Sequence, residues 1–266
     1  MKRLSFTLVE LLVVTATIAL LIAISLSSLQ NSRQEAKAIL CSSNVKQLTF
    51  GLLLYETENH TLPYGFDNTP NEPPPGGYSG FIEYDRTGWW WFNFIEGFYK
   101  EPDNKRTVVQ CPSKWISNPK LQNNILCGNY GVNRSICKSF DDIQPFREEF
   151  VGTPLSTNEI PRPSETLLIV DSGYAIINWW HVADDPPVSL GNTIIEDTAY
   201  MPGLWINKER DLWPGQEEDA IYGRHPNKTV NVGFFDGHVS RIKAGDLFVE
   251  KTGDDYKNES PLWVPK

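Results

Sequence analysis

Neither glycine nor proline occurs in the first fifty residues of this 266-residue chain, and all 19 glycines and all 19 prolines lie beyond that point. Gly51 and Pro63 are the first of each. Helix breakers are thus excluded from one end, which predicts a single helix from about Phe6 to about Glu58, roughly 80 Å long. Charge is equally scarce there: from Phe6 to Leu29, Glu10 is the only ionisable side chain. Positive charge is in short supply throughout, 24 Lys and Arg against 33 Asp and Glu, a net −9. With no basic stripe to displace counterions, nucleic acid is excluded as a partner. Also missing are Gly-x-Ser-x-Gly, a Walker loop, His-Glu-x-x-His and a dinucleotide fingerprint, so an enzyme is not expected and no catalytic residue is assigned. No Cys-x-x-Cys pair marks a zinc site.

What is present begins with Glu10. A carboxylate in an apolar run costs on the order of 3 kcal/mol at a bilayer centre and survives more readily when a cation meets it. Phe6 to Leu29 is 24 residues, about 36 Å of helix, enough to cross a hydrocarbon core of about 30 Å. Lys2 and Arg3 hold the N-terminus on the cytoplasmic side under the positive-inside rule, so everything after Leu29 is expected outside. An extracytoplasmic domain of about 200 residues then follows, long enough to bury its own core. There the four cysteines, Cys41, Cys111, Cys127 and Cys137, are allowed to form disulfides, with three possible pairings and nothing in the spacing to choose among them.

Beyond Leu29, Ala38, Cys41, Val45, Leu48, Leu52 and Tyr55 recur at helical spacing, with Gln34, Glu35, Ser42, Asn44 and Lys46 read as the opposite face. Such a seam fits either a helix-to-helix contact in a filament or packing on the chain's own domain, and the latter is expected. Gly65 to Gly80, rich in Pro, Gly and Asn, reads as a surface loop. Strands are expected at Thr107–Gln110, Thr166–Val170, Thr193–Ile195 and Val230–Phe235. A hairpin turning on Asp236-Gly237 would set Phe234 opposite Val239 and Phe235 opposite His238. The fold class is therefore α+β: an antiparallel sheet laid against the outer half of a long helix.

Two stretches resemble known proteins. Phe6-Thr7-Leu8-Val9-Glu10, after the basic leader Met1–Ser5, resembles the type IV prepilin signal, with Ser5 where the family has Gly. Tyr222-Gly-Arg-His225, ten residues, then Asp236-Gly237-His238-Val239 is similar to the C-terminal signature of a bacterial family of prepilin-type, type II secretion pseudopilin-like proteins. That family has nine residues between His and Asp-Gly; a bulge at Gly233 is expected to absorb the extra one. Cys41-Ser-Ser-Asn-Val-Lys-Gln-Leu, Leu62-Pro63, Cys111-Pro-Ser, Asn129-Tyr-Gly-Val-Asn133 and Arg162 to Asp171 agree in order.

The resemblance implies a leader at 1–5, a transmembrane or filament-core helix at 6–29 and its continuation at 30–60. A pilin-like domain at 61–266 would carry insertions at 66–106 and 172–221 and the signature at 222–245. It implies cleavage between Ser5 and Phe6 by a prepilin peptidase, N-methylation of Phe6, and Glu10 setting register against a neighbouring subunit's amine. The partners are then other pilin or pseudopilin subunits. The location is the inner membrane, single-pass, before assembly into a pilus, a secretion pseudopilus or a cell-surface filament.

His225, with Asp171, Asp236 and His238, fits metal ligation or acid–base chemistry. The expected role is structural: His225 capping a strand through a backbone group, Asp236 and Gly237 serving the turn. No cofactor is expected. A calcium site would have to draw on Glu217–Asp219, Asp184-Asp185 or Asp254-Asp255, none with the spacing of a calcium loop. Nine tryptophans carry the alternative function, a membrane-anchored glycan-binding module with Trp90 and Trp180 as stacking platforms.

Overall fold

The computed structural model describes residues 7–70, 72, 88–99, 108–140, 149–186 and 199–265. The leader, Ser5 and Phe6 lie outside them, as do Thr193–Ile195 and parts of the two expected insertions.

Helix α1 runs unbroken over Leu8–Asn59, as the missing breakers predict. Thr7 caps its N-terminus, and His60, left-handed at φ 64°, ends it by donating to the Glu56 carbonyl at 2.7 Å. The helix has two regimes. From Leu8 to Leu29 every side chain is exposed, and among the described residues α1 is the one helix long and apolar enough to cross a membrane. From Ala38 onward one face is buried: Ala38, Cys41, Val45, Leu48, Thr49 and Leu52. That seam packs on the chain's own sheet, as expected. The polar residues beside it do not all face solvent. Glu35 pairs with Arg241 at 2.7 Å, Asn44 donates to the Gln110 carbonyl, and Lys46 donates to the Gly237 carbonyl at 2.6 Å. They rim the groove into which the seam fits.

Phe66–Asp67 (β1) pairs with Trp89–Trp90 (β2). Phe66, placed in a surface loop by the sequence reading, is buried against the Trp90 ring at 4.6 Å. The main sheet comprises Tyr130–Asn133 (β3), Leu167–Asp171 (β4), Ile176–Ile177 (β5), Thr229–Phe234 (β6) and Val239–Lys243 (β7). Its order is β5-β3-β4-β6-β7, antiparallel except for the β3/β5 pair. Lys251–Thr252 (β8) and Asp255–Tyr256 (β9) form a separate ribbon. The architecture is α+β, with α1 laid across β4, β6 and β7.

Three local expectations are corrected. Val108–Gln110 is a turn, not a strand; Val108 and Val109 are buried there without a ladder, so tertiary packing overrides β-propensity. In the β6–β7 hairpin Gly233 pairs with Val239, and Phe234 donates to the His238 carbonyl at 2.9 Å. The loop is therefore Phe235-Asp236-Gly237, a three-residue hairpin with Gly237 at φ 89°, and the pairing sits one residue away from a two-residue Asp-Gly turn. Finally, no bulge sits at Gly233. The register shift falls between Leu167 and Ile169 on β4.

Gly233 has a different purpose. A Cβ there would overlap the Thr49 hydroxyl and lie 2.8 Å from Ile169 Cγ2, so α1 can lie on β6 only because this position has no side chain. Gly233→Ala is expected to cost about 1–3 kcal/mol by overpacking. A lower thermal midpoint, with Gly245→Ala, whose added Cβ meets nothing, as the neutral comparison, is the check.

Candidate functional site

The sequence-derived residues fall into two places. At the helix start, Glu10 Oε2 accepts from the Thr7 amide at 2.8 Å and the Thr7 hydroxyl at 2.7 Å, while the Glu10 amide donates back to Thr7 Oγ1 at 3.2 Å. This is a capping box, which satisfies donors otherwise orphaned at a helix N-terminus. The Thr-x-x-Glu pattern was legible, yet the sequence reading passed over it. Glu10 is exposed and its carboxylate is turned back to Thr7.

The second place lies beneath α1. The helix Glu217–Tyr222 ends at Gly223, φ 77°, whose amide donates to the Asp219 carbonyl at 3.1 Å. The chain then extends through Arg224 and His225 before Pro226, Asn227 and Lys228 turn it into β6, the last two left-handed. Arg224 is fully enclosed. Its guanidinium meets Asp219 at 2.5 and 3.1 Å and donates to the carbonyls of Gly128, Asn129 and Ser172. Tyr200 donates its hydroxyl to the same Asp219 at 2.9 Å.

His225 Nε2 lies 3.1 Å from Asp171 Oδ2, both side chains without solvent exposure. The same oxygen accepts from the Asn231 amide at 2.6 Å and from Asn231 Nδ2 at 3.0 Å. Burial opposes the imidazolium, but the Asp171 carboxylate outweighs it and raises His225 to about 9. Burial likewise pushes Asp171 up, and His225, Arg224 and the Asn231 amide bring it below the ordinary value. The partner expected for His225 is corrected: its ring meets a carboxylate, not a backbone group.

Next to this pair, Cys41 Sγ and Cys111 Sγ approach to 2.7 Å with no disulfide bond between them. Ligand atoms of Cys41, Cys111 and His225 all lie within 4.8 Å of one another, and the three residues are buried. Burial drives the Cys111 thiol well above its usual range, with Cys41 adding to the shift. At Cys41 burial is outweighed by hydrogen bonding to Cys111, and its value falls. Tyr130, held by Asn44 at 3.2 Å, stands beside them. Of the three cysteine pairings left open, the fold places Cys41 against Cys111; Cys127 and Cys137 are also buried.

Asp236 and His238 do not join this cluster. They sit at the exposed hairpin tip, at the other end of a six-residue strand, about 20 Å along. Asp236 Oδ1 accepts from the His238 amide at 2.9 Å and meets its ring at 2.6 Å. That is the turn role expected of it, while the Gly237 carbonyl receives Lys46 from α1. The acidic groups are likewise dispersed. Asp219 is committed to Arg224, Asp185 to Lys251 at 2.6 Å, and Glu217 to the Gly215 amide. Among the described residues, Cys41, Cys111 and His225 are the one group of three with metal-ligating geometry, and no acidic trio joins them.

Trp90 is wholly enclosed and Trp180 nearly so, so neither presents the open face that stacking on a glycan requires. They are core aromatics: Trp90 packs edge-on to Tyr174 and Trp180 to Phe150. The neighbouring Trp179, with Tyr256 at 4.7 Å and Glu149, walls an open cleft of about 610 Å³ that the sequence reading did not single out.

No family model, curated protein or solved structure matches this chain.

Proposed function

We propose that this protein is a membrane-anchored, pilin-like or pseudopilin-like subunit. The observation that carries the reading is the division of one continuous helix. Leu8–Leu29 stands clear of the domain with its apolar side chains exposed, while from Ala38 onward one face of the same helix is buried against the sheet. Exposed leucines, valines and isoleucines in such number need a hydrocarbon or protein environment. Glu10 is the only charge in that segment. Lys2 and Arg3 would keep the leader cytoplasmic and put the sheet domain outside. On this reading a prepilin peptidase cuts between Ser5 and Phe6, Phe6 is N-methylated, and the new amine of one subunit meets Glu10 of its neighbour. A desolvated carboxylate is tolerable only when paired, so the pairing selects one axial position among otherwise interchangeable apolar contacts.

Intact mass and N-terminal sequencing of membrane-extracted protein test the processing step. The expected result is a chain starting at Phe6 and one methyl group heavier in cells with prepilin peptidase, and the full leader in cells without it. A start at Ser5 or earlier in peptidase-positive cells overturns the reading.

A further inference from the structure

We propose that Cys41, Cys111 and His225 form a buried site for a thiophilic divalent cation, zinc in the first instance, which fastens the outer half of α1 to the domain. The inference does not depend on the filament reading.

The donor set is the first argument. Two cysteine sulfurs and an imidazole suit zinc and its soft neighbours, whereas calcium and magnesium take oxygen ligands. The second is the orientation of His225. Its Nε2 donates to Asp171 Oδ2 at 3.1 Å, and its buried Nδ1 makes no hydrogen bond of standard geometry, although the ring interacts with the Cys111 thiol. Metal-bound histidines characteristically give their other ring nitrogen to a carboxylate, which fixes the ring and raises its basicity. Asp171 is placed for that duty and is itself clamped through the Asn231 amide and Nδ2. The third is placement. Cys41 lies on α1, Cys111 just beyond the Val108–Gln110 turn, and His225 on the segment entering β6. One ion would therefore tie together three elements remote in sequence.

The cluster must relax to accept the ion. With Zn–S bonds of about 2.3 Å in tetrahedral geometry, the sulfurs need roughly 3.8 Å between them, about 1 Å more than the present 2.7 Å. Cys111 lies outside any strand, but its amide donates to Asn129 Oδ1 at 3.0 Å and its carbonyl accepts from the Lys114 amide at 3.1 Å, so the adjustment falls on its side-chain torsion. Binding deprotonates both thiols and removes the Nδ1 proton of the His225 imidazolium, so three protons leave to solvent and the two thiolate charges balance the two positive charges of the ion. Three protein ligands leave a fourth position for water.

The test uses the full-length chain in detergent, reduced and loaded with zinc, then with cobalt(II). The expected result is one zinc per chain by elemental analysis, and a thiolate-to-cobalt charge-transfer band in the wild type. Cys111→Ser should abolish the band, Cys137→Ser should leave it unchanged, and Asp171→Asn should keep it with affinity lowered about 10–100-fold. The wild-type titration decides even if a variant fails to fold. Absence of the band in folded, reduced wild type overturns the site, and so does its survival in Cys111→Ser. A Cys41–Cys111 disulfide in peptides from the protein as isolated would also overturn it.

Discussion

Replacing Arg224 by alanine is expected to destabilise the domain by about 3–5 kcal/mol, the range for removing one partner of a buried ion pair. For a domain of 150–250 residues this is a fall of about 6–20 °C in thermal midpoint. The size follows from what is left behind. Asp219 would keep its carboxylate in a fully buried setting with, among the described residues, only the Tyr200 hydroxyl and the Trp115 amide as donors. The carbonyls of Gly128 and Ser172 would lose this donor at the same time, and that of Asn129 would be left with the Ser172 amide. Arg224→Lys retains the charge but not the planar fork that reaches three carbonyls and a carboxylate, so most of the loss should remain. Removing both charges, as Arg224→Met with Asp219→Leu, should recover part of it, because the orphaned charge goes too. Circular-dichroism melts of the full-length chain in detergent read all four proteins. A drop under about 1 kcal/mol for Arg224→Ala would mean that the clamp is dispensable.

The second large effect concerns assembly. Glu10→Val is expected to leave leader cleavage intact and to reduce incorporation into any filament below detection. The anchor itself should not suffer, since removing a carboxylate from an apolar helix lowers its insertion cost. Loss of polymer could not then be assigned to poor membrane retention. Glu10 also completes the capping box with Thr7, and Glu10→Gln separates the two roles: an amide oxygen still accepts from the Thr7 amide but carries no charge. Glutamine should fail as valine does if pairing with a neighbour's amine is the function. Normal filaments from Glu10→Gln, with failure of Glu10→Val, would assign the residue to helix capping. Normal filaments from both would remove the registry role.

Much of the fold could be read from residue order alone because its signals are local. The unbroken α1 follows from the absence of Gly and Pro, and the buried seam from Ala38, Cys41, Val45, Leu48 and Leu52 recurring on one face. The Asp236-Gly237 turn was also visible, but its register was not. Asp-Gly suits a two-residue loop and equally a three-residue loop with glycine left-handed, and only the Phe234–His238 pairing distinguishes them. The Cys–Cys–His cluster was illegible for the opposite reason. Spacing rules for metal sites depend on ligands close in the chain, whereas these come from positions 41, 111 and 225 and meet only after α1 settles on β6. The tryptophans misled because composition shows aromatic abundance and not direction: Trp90 points inward while Trp179, beside the buried Trp180, borders a cleft.

A mechanical corollary follows from α1 having no joint. Its exposed Leu8–Leu29 stretch and the part that rests on the sheet from Ala38 onward belong to one rod, so bending cannot be confined to a boundary between them. A 10° swing of the free end, about 33 Å long, carries its tip sideways by roughly 6 Å. The resulting torque falls on the contacts nearest the exit, the Glu35–Arg241 pair and the residues around Cys41. Whatever grips the greasy end of this protein thereby has a handle on the sheet.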